Sequence, residues 1–152
     1  MRILITGSSG QLGSSLKLNA PQFLSSKEIN LLTPPRQELD LSSEESCKNY
    51  IYKFKPEFVI NAGAFTGVDD AEIKSELAYK VNTIAPKVIA KALKDIGGRL
   101  IQISTDYVFS GNNGKPYKPF DAKCPLGVYG ETKAIGEDNI QEFLLQTKQS
   151  LI

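Results

Sequence analysis

The chain contains no histidine, two cysteines and no long apolar run. Each shortage excludes a class of function. Without histidine, the usual histidine-based catalytic triads cannot be assembled within this chain. Cys47 and Cys124 are far apart and form no CxxC pair, so no metal site is expected. Two scattered thiols read as structural cysteines in a reducing, cytoplasmic setting. No apolar stretch approaches the ~20 residues that span a bilayer, and "MRILITG" turns glycine-rich too soon for a signal peptide. No membrane partner is therefore expected. The formal net charge of +1 gives no electrostatic case for nucleic acid as a partner.

What is present is an ordinary soluble composition. The 152 residues are 41% hydrophobic and 23% charged, enough for one domain with a real core. No internal repeat or low-complexity tract interrupts it. Short apolar runs alternate with longer amphipathic segments. "RILIT" (Arg2 to Thr6) reads as a buried strand, and "GQLGSSLKLNA" as a helix stopped by Pro21. "EINLL" (Glu28 to Leu32) reads as a short, weak strand. Ser42 or Ser43 can cap a helix running to about Phe54. "EFVIN" (Glu57 to Asn61) is a strand, and Asp69 to Asp95 is helical, broken near Lys74 and kinked by Pro86. Gly97 and Gly98 stop it. "RLIQIS" (Arg99 to Ser104) is the next strand. A loop rich in Gly, Asn and Pro precedes a last helix from Leu126 to about Lys148. "SLI" reads as the start of a further strand. Alternation of this kind predicts an α/β, Rossmann-type doubly wound parallel sheet. Its ligands bind beyond the C-terminal ends of the strands.

The unusual residues follow those strand ends. Gly7, Gly10 and Gly13 are spaced GxxGxxG between a strand and a helix. That context suits a tight turn, close approach of backbone to a pyrophosphate, and a helix N-terminus facing the anion. Asp40 either contacts an adenosine or caps the following helix. Arg36 either meets a 2′-phosphate or is an exposed loop charge. In "NAGAFTGVDDAE", the small residues Ala62, Gly63 and Ala64 admit a flat ring or ribose, or else close helix–sheet packing. In "STDYVF", Thr105 offers a hydroxyl to a carbonyl oxygen and Asp106 an acceptor beside it, or the two form a polar turn. "YGETK" places Tyr129 and Lys133 four residues apart, on one face of a helix. A lysine cation near a phenol favours the phenolate, so such a pair can exchange protons near neutrality.

These four motifs, in this order and spacing, resemble the extended short-chain dehydrogenase/reductases, and within them the dTDP-4-dehydrorhamnose reductase family. The resemblance runs from Met1 to the C-terminus. It implies an NADPH- or NADH-dependent reduction of the 4-keto sugar of dTDP-4-dehydro-L-rhamnose to dTDP-L-rhamnose, with the nucleotide sugar as partner. Tyr129 would be the general acid and Lys133 would hold the nicotinamide ribose. Thr105 would hydrogen-bond the substrate oxygen, with Val68 and Asp106 toward the sugar. Gly10, Gln11 and Leu12, between Gly7 and Gly13, would line the pyrophosphate, Asp40 and Leu41 the adenosine. Ala64, Phe65 and Thr66 would face the cofactor. Ser8 stands where some relatives carry a basic residue, which leaves NADPH and NADH both open. A nucleotide-sugar epimerase or dehydratase of the same superfamily is the nearby alternative. A non-catalytic NADP-binding subunit, like the regulatory subunit of methionine adenosyltransferase, is the distant one. Family members are roughly twice as long. Residues 1–152 are thus expected to be an incomplete Rossmann-like domain, inactive alone. The C-terminal substrate-binding region would be absent, Arg99 to Ser104 would form a sheet edge, and a homodimer would belong to the full-length form.

Overall fold

A computed structural model describes residues 1–112, 114–144 and 150–152. The first strand, β1 (Arg2–Thr6), is followed by α1 (Gln11–Leu18). A small hairpin, β2 (Phe23–Leu24) and β3 (Lys27–Glu28), leads into β4 (Asn30–Leu32) and then α2 (Glu44–Phe54). Next come β5 (Phe58–Asn61), α3 (Val68–Ile73), α4 (Ser75–Tyr79), a π-helical turn (Lys80–Ile84) and α5 (Ala85–Ile96). The described elements end with β6 (Arg99–Gln102), a 3₁₀ turn (Asp106–Val108), α6 (Val128–Leu144) and β7 (Ser150–Leu151).

Strands β4-β1-β5-β6-β7 form one parallel sheet in that order. Right-handed crossovers dictate its layers. The step from β1 back to β4 puts α1 on one face. The steps β4 to β5, β5 to β6 and β6 to β7 run the other way and put α2, α5 and α6 on the opposite face. The buried core lies on that three-helix side. Leu4, Val59 and Leu100 from adjacent strands pack against Cys47 and Ile51 of α2, Ile89 and Leu93 of α5, and Ile140 and Leu144 of α6. Burial pushes the Cys47 thiol up to about 12, which fits an inert core residue.

Three expectations need correction. The strand expected over Glu28 to Leu32 is split, with its first part folded back on Phe23–Leu24. Ser25 (φ +47°) and Ser26 (φ +65°) both sit in the left-handed region, as a two-residue hairpin turn of the primed type requires. Arg99 to Ser104 is not a bare edge, because Leu100 and Ile101 pair with Ser150 and Leu151. The last helix begins at Val128 rather than Leu126, and its expected end, residues 145–148, lies outside the described residues. Ser43, not Ser42, caps α2, accepting from the Ser46 N–H at 3.2 Å. The break at Lys74 and the stop at Gly97 (φ +75°) stand as expected.

Pro86 acts through the turn before it. Its ring removes the N–H that would bond the Asn82 carbonyl four residues back. The helix widens there, and Ala85 N–H bonds to the Lys80 carbonyl instead. The Asn82 carbonyl faces Gly136 of α6 so closely that any β-carbon at Gly136 would overlap it. Pro86 and Gly136 thus belong to one packing solution.

Candidate active site

The glycine turn is built from backbone against backbone. Gly7 adopts φ +62°, which admits glycine readily, and its carbonyl accepts the Gly10 N–H at 2.9 Å. Gly10 then opens α1 as its N-cap, leaving the first N–H groups of the helix without intrahelical partners. A β-carbon at Gly7 would lie 2.6 Å from Gly63 Cα. One at Gly13 would overlap the Gly7 carbonyl, and one at Gly63 the Leu41 side chain. Three segments therefore meet in contact: the β1 turn, α1 and the loop after β5.

Beside this corner opens a groove of about 230 Å³. It is lined by Gly7, Ser8, Ser9, Pro34, Arg36, Leu39, Asp40, Leu41, Gly63, Ala64, Phe65, Leu77 and Val81. Gly7, Asp40, Leu41, Ala64 and Phe65, all expected around one ligand, are gathered here by the fold. Gln11 and Leu12 are exposed on the first turn of α1, Gly13 is buried beneath it, and Thr66 is exposed near the end of the loop after β5. None of these, nor Gly10, lines the groove itself. The Asp40 carboxylate accepts from Ser42 N–H (2.9 Å) and Ser42 Oγ (2.8 Å), with Arg36 Nε at 3.5 Å. The Ser42 backbone bond holds it below the usual carboxylate range. Asp40 thus caps its own turn, not α2, and still faces the groove. Arg36 is largely exposed at the lip.

A polar rung joins this groove to the Tyr/Lys helix. Thr6, Asn61 and Gln102 end adjacent strands in register and are buried. Gly63 N–H donates to Thr6 Oγ1 at 3.2 Å, and the Thr6 hydroxyl donates to Asn61 Oδ1. Asn61 Nδ2 donates to Gln102 Oε1 at 2.8 Å, and Gln102 Nε2 to the Ile103 carbonyl at 2.9 Å. The same carbonyl accepts the Lys133 ammonium at 2.6 Å. Among the described residues, no buried side-chain polar atom lacks a partner. A second clamp fixes the loop after β5. The buried Asn82 amide accepts from Phe65 N–H (2.9 Å) and donates to the Phe65 carbonyl (3.0 Å). It also donates to Thr132 Oγ1 of α6 at 3.2 Å.

Tyr129 and Lys133 share a face of α6, as expected. Lys133 is buried, and desolvation lowers it to about 8 against the opposing pull of Glu137. Its ammonium bonds Ile103 rather than any side chain. The Tyr129 ring stands edge-on to Tyr107, centroids 5.5 Å apart. Tyr107 belongs to the 3₁₀ turn, whose carbonyl presses on Gly130 so that a β-carbon there would overlap it. Thr105 caps this turn, accepting Tyr107 N–H at 3.3 Å and donating to Asp106 Oδ1 at 3.3 Å. Both polar-turn and ligand readings of Thr105 and Asp106 therefore rest on one local structure. Val68, Asp106 and Tyr129 line a second, more open groove of about 560 Å³, with Tyr107, Phe109, Tyr117 and Leu126. Thr105 and Lys133 do not line it.

Asn82, Glu137, Lys123 and the strand-end polar trio were missed from sequence. A buried asparagine inside the apolar helical run "KVNTIAP" was the available signal for the first. Glu137 stands one helical turn beyond Lys133 in "TKAIGE", the i,i+4 position. Among the described residues, no cluster of His, Cys, Asp or Glu could hold a metal, and no helix is long and apolar enough to cross a membrane.

A family model described as the RmlD substrate binding domain matches residues 1–152. The chain belongs to this family. Relatives and solved structures agree with that membership. The dTDP-4-dehydrorhamnose reductase of Aggregatibacter actinomycetemcomitans is 40% identical over 136 residues, covering 90% of this chain and 45% of that protein. The crystal structure of a dTDP-4-dehydrorhamnose reductase from Clostridium acetobutylicum superposes with a TM-score of 0.88 at 37% identity, over 99% of this chain and 51% of that one. The Bacillus anthracis dTDP-4-dehydrorhamnose reductase, solved in complex with NADP, gives 0.84 at 33% identity, over 93% and 49%. The chain spans about half the length of the relatives it matches.

Proposed function

We propose that this chain is the dinucleotide-binding half of a 4-keto nucleotide-sugar reductase that forms dTDP-L-rhamnose from dTDP-4-dehydro-L-rhamnose. The observation that carries this reading is the match of the whole chain to the family, with Tyr129 and Lys133 on one face of α6. A dinucleotide fits the glycine corner because the lack of β-carbons at Gly7, Gly13 and Gly63 lets the β1 turn, α1 and the loop after β5 pack together, and the α1 N-terminus beside them, with no side-chain cap, can face a pyrophosphate. Asp40 and Leu41 would hold the adenosine, Gly10, Gln11 and Leu12 the pyrophosphate, and Ala64, Phe65 and Thr66 the inner side. When bound, reduced nicotinamide supplies the hydride that adds to the sugar C4 carbon.

The residues of this chain manage the oxygen. As the carbonyl π electrons move onto the C4 oxygen, the Tyr129 phenol donates its proton there, and solvent restores it. Lys133 would hold the ribose and stabilise the phenolate left behind. Thr105 would hydrogen-bond the substrate oxygen, and Val68 and Asp106 line the groove where the sugar would lie. The remaining wall would come from the C-terminal half that full-length relatives carry, where any homodimer contact would also belong. Either NADPH or NADH suits the groove, Arg36 at the lip favouring NADPH.

The test is fusion of this chain to the C-terminal half of a full-length relative, assayed by NADPH oxidation with dTDP-4-dehydro-L-rhamnose. Turnover is expected. Tyr129→Phe should lower it about 10²–10⁴-fold with little change in NADPH affinity. Parent-level turnover by the Phe variant would remove Tyr129 from the reaction. A folded fusion that binds NADPH without oxidising it would favour a non-catalytic binding subunit.

A further inference from the structure

Glu137 is a buried carboxylate with 9% exposure, one helical turn beyond Lys133. Its two oxygens have different partners. Ser104 Oγ donates to Oε1, and Lys123 Nζ stands 3.3 Å from Oε2. Ser104 directly follows Ile103, whose carbonyl holds the Lys133 ammonium. Consecutive turns of α6 thus grip consecutive residues beyond β6. Lys123 is independently satisfied, by Asp138 Oδ1 and by the Ala134 carbonyl at 3.2 Å. Lys133 has no such reserve: its bonded partner is a neutral carbonyl, and Glu137 is the carboxylate whose charge acts on it.

We propose that Glu137 is a positioning residue for Lys133: one turn apart on α6, the two side chains bond the consecutive residues Ser104 and Ile103, and the Glu137 carboxylate seats the buried ammonium against the end of β6. A glutamine could still accept from Ser104, so the hydrogen bond alone does not require an acid. The charge does more. Burial depresses Lys133 to about 8, and Glu137 opposes that depression. Removing the negative charge lets the ammonium lose its proton nearer neutrality. The charged groups facing Glu137 are Lys123 and Lys133, with Asp138 beyond Lys123. The functional consequence, loss of the ribose-holding cation, rests on the reading of Lys133 given above. The electrostatic tie does not.

The experiment is ¹³C NMR titration of the Lys133 Cε resonance in the full chain without cofactor, assigned with Lys133→Arg. The parent midpoint is expected near 8. In Glu137→Gln it should fall by roughly one pH unit or more, the size an adjacent opposite charge confers. Lys123→Met should move it upward, because Glu137 then answers Lys133 alone. Unfolding would carry either variant to about 10.4, the ordinary lysine value, so a fall in Glu137→Gln cannot come from lost structure. An unchanged or raised midpoint in Glu137→Gln overturns the proposal. If that variant does not fold, Lys123→Met with a native amide spectrum and an unmoved midpoint does the same. NADPH titration of the same samples is a separate result, bearing only on the cofactor reading.

Discussion

The two grooves are made differently. The first rests on packed backbone: Gly7 and Gly63 line it and Gly13 lies buried beneath, all at distances that admit no β-carbon, and Asn82 and Thr6 pin the loop beside them. The second is walled by the 3₁₀ turn, the loop before α6 and aromatic side chains, and of its three glycines only Gly130, against the Tyr107 carbonyl, is packed on backbone. A β-carbon at Gly111 would meet nothing within 4 Å, and one at Gly127 only the end of the Glu72 side chain. The first groove is closed between packed segments of this chain; the second, set among loops and rings, is the more open. The chain is therefore expected to bind a dinucleotide by itself and to orient a sugar poorly, and orientation can supply about 7–11 kcal/mol of barrier reduction.

Substitutions can break this contrast. Gly13→Val should have the largest effect, about 3 kcal/mol in urea denaturation or outright failure to fold, because neither the Gly7 carbonyl nor Ser8 Cα can give. Lys133→Met probes the link between the grooves. Its depressed folded value means that the charged form opposes folding fully below about 8, and this cost disappears as pH rises to the ordinary lysine value. Parent stability should therefore climb by up to about 3 kcal/mol between pH 8 and 10.4 from this group, and the Met variant should lack that slope. NADPH affinity of the parent should fall over the same range. Asn82→Ala should cost about 2 kcal/mol, leaving Phe65 N–H and C=O without their clamp, and should weaken NADPH binding through the loosened loop. Gly111→Ala, in the second groove, should cost only about 1 kcal/mol, the penalty of φ +77° alone. Equal costs at Gly13 and Gly111 would erase the distinction.

Much of the first groove was legible because backbone constraints write themselves in residue type. Gly7, Gly10 and Gly13 between an apolar run and a helix admit few other structures, and Ala64 and Phe65 follow the next buried strand. Tyr129 and Lys133 were legible from helical spacing. What was hidden depends on partners distant in sequence. Thr6, Asn61 and Gln102 are ordinary polar strand endings until register places them side by side. Glu137 reads as a helix-surface charge until Lys123 and Ser104 close over it. The Ser25–Ser26 turn lacks the Asn-Gly or Asp-Gly pattern that marks such hairpins. Pro86 announced a kink, but its form, a π turn whose carbonyl seats Gly136, needed α6 in place.

The most direct test of the account is fluorescence titration of the 152-residue chain with NADPH, beside Gly13→Val and Tyr129→Phe. Saturable one-to-one binding by the parent is expected, nearly unchanged in Tyr129→Phe and abolished in Gly13→Val. A folded parent chain that does not bind, or a folded Gly13→Val that binds as well, would contradict a dinucleotide groove built on the glycine corner.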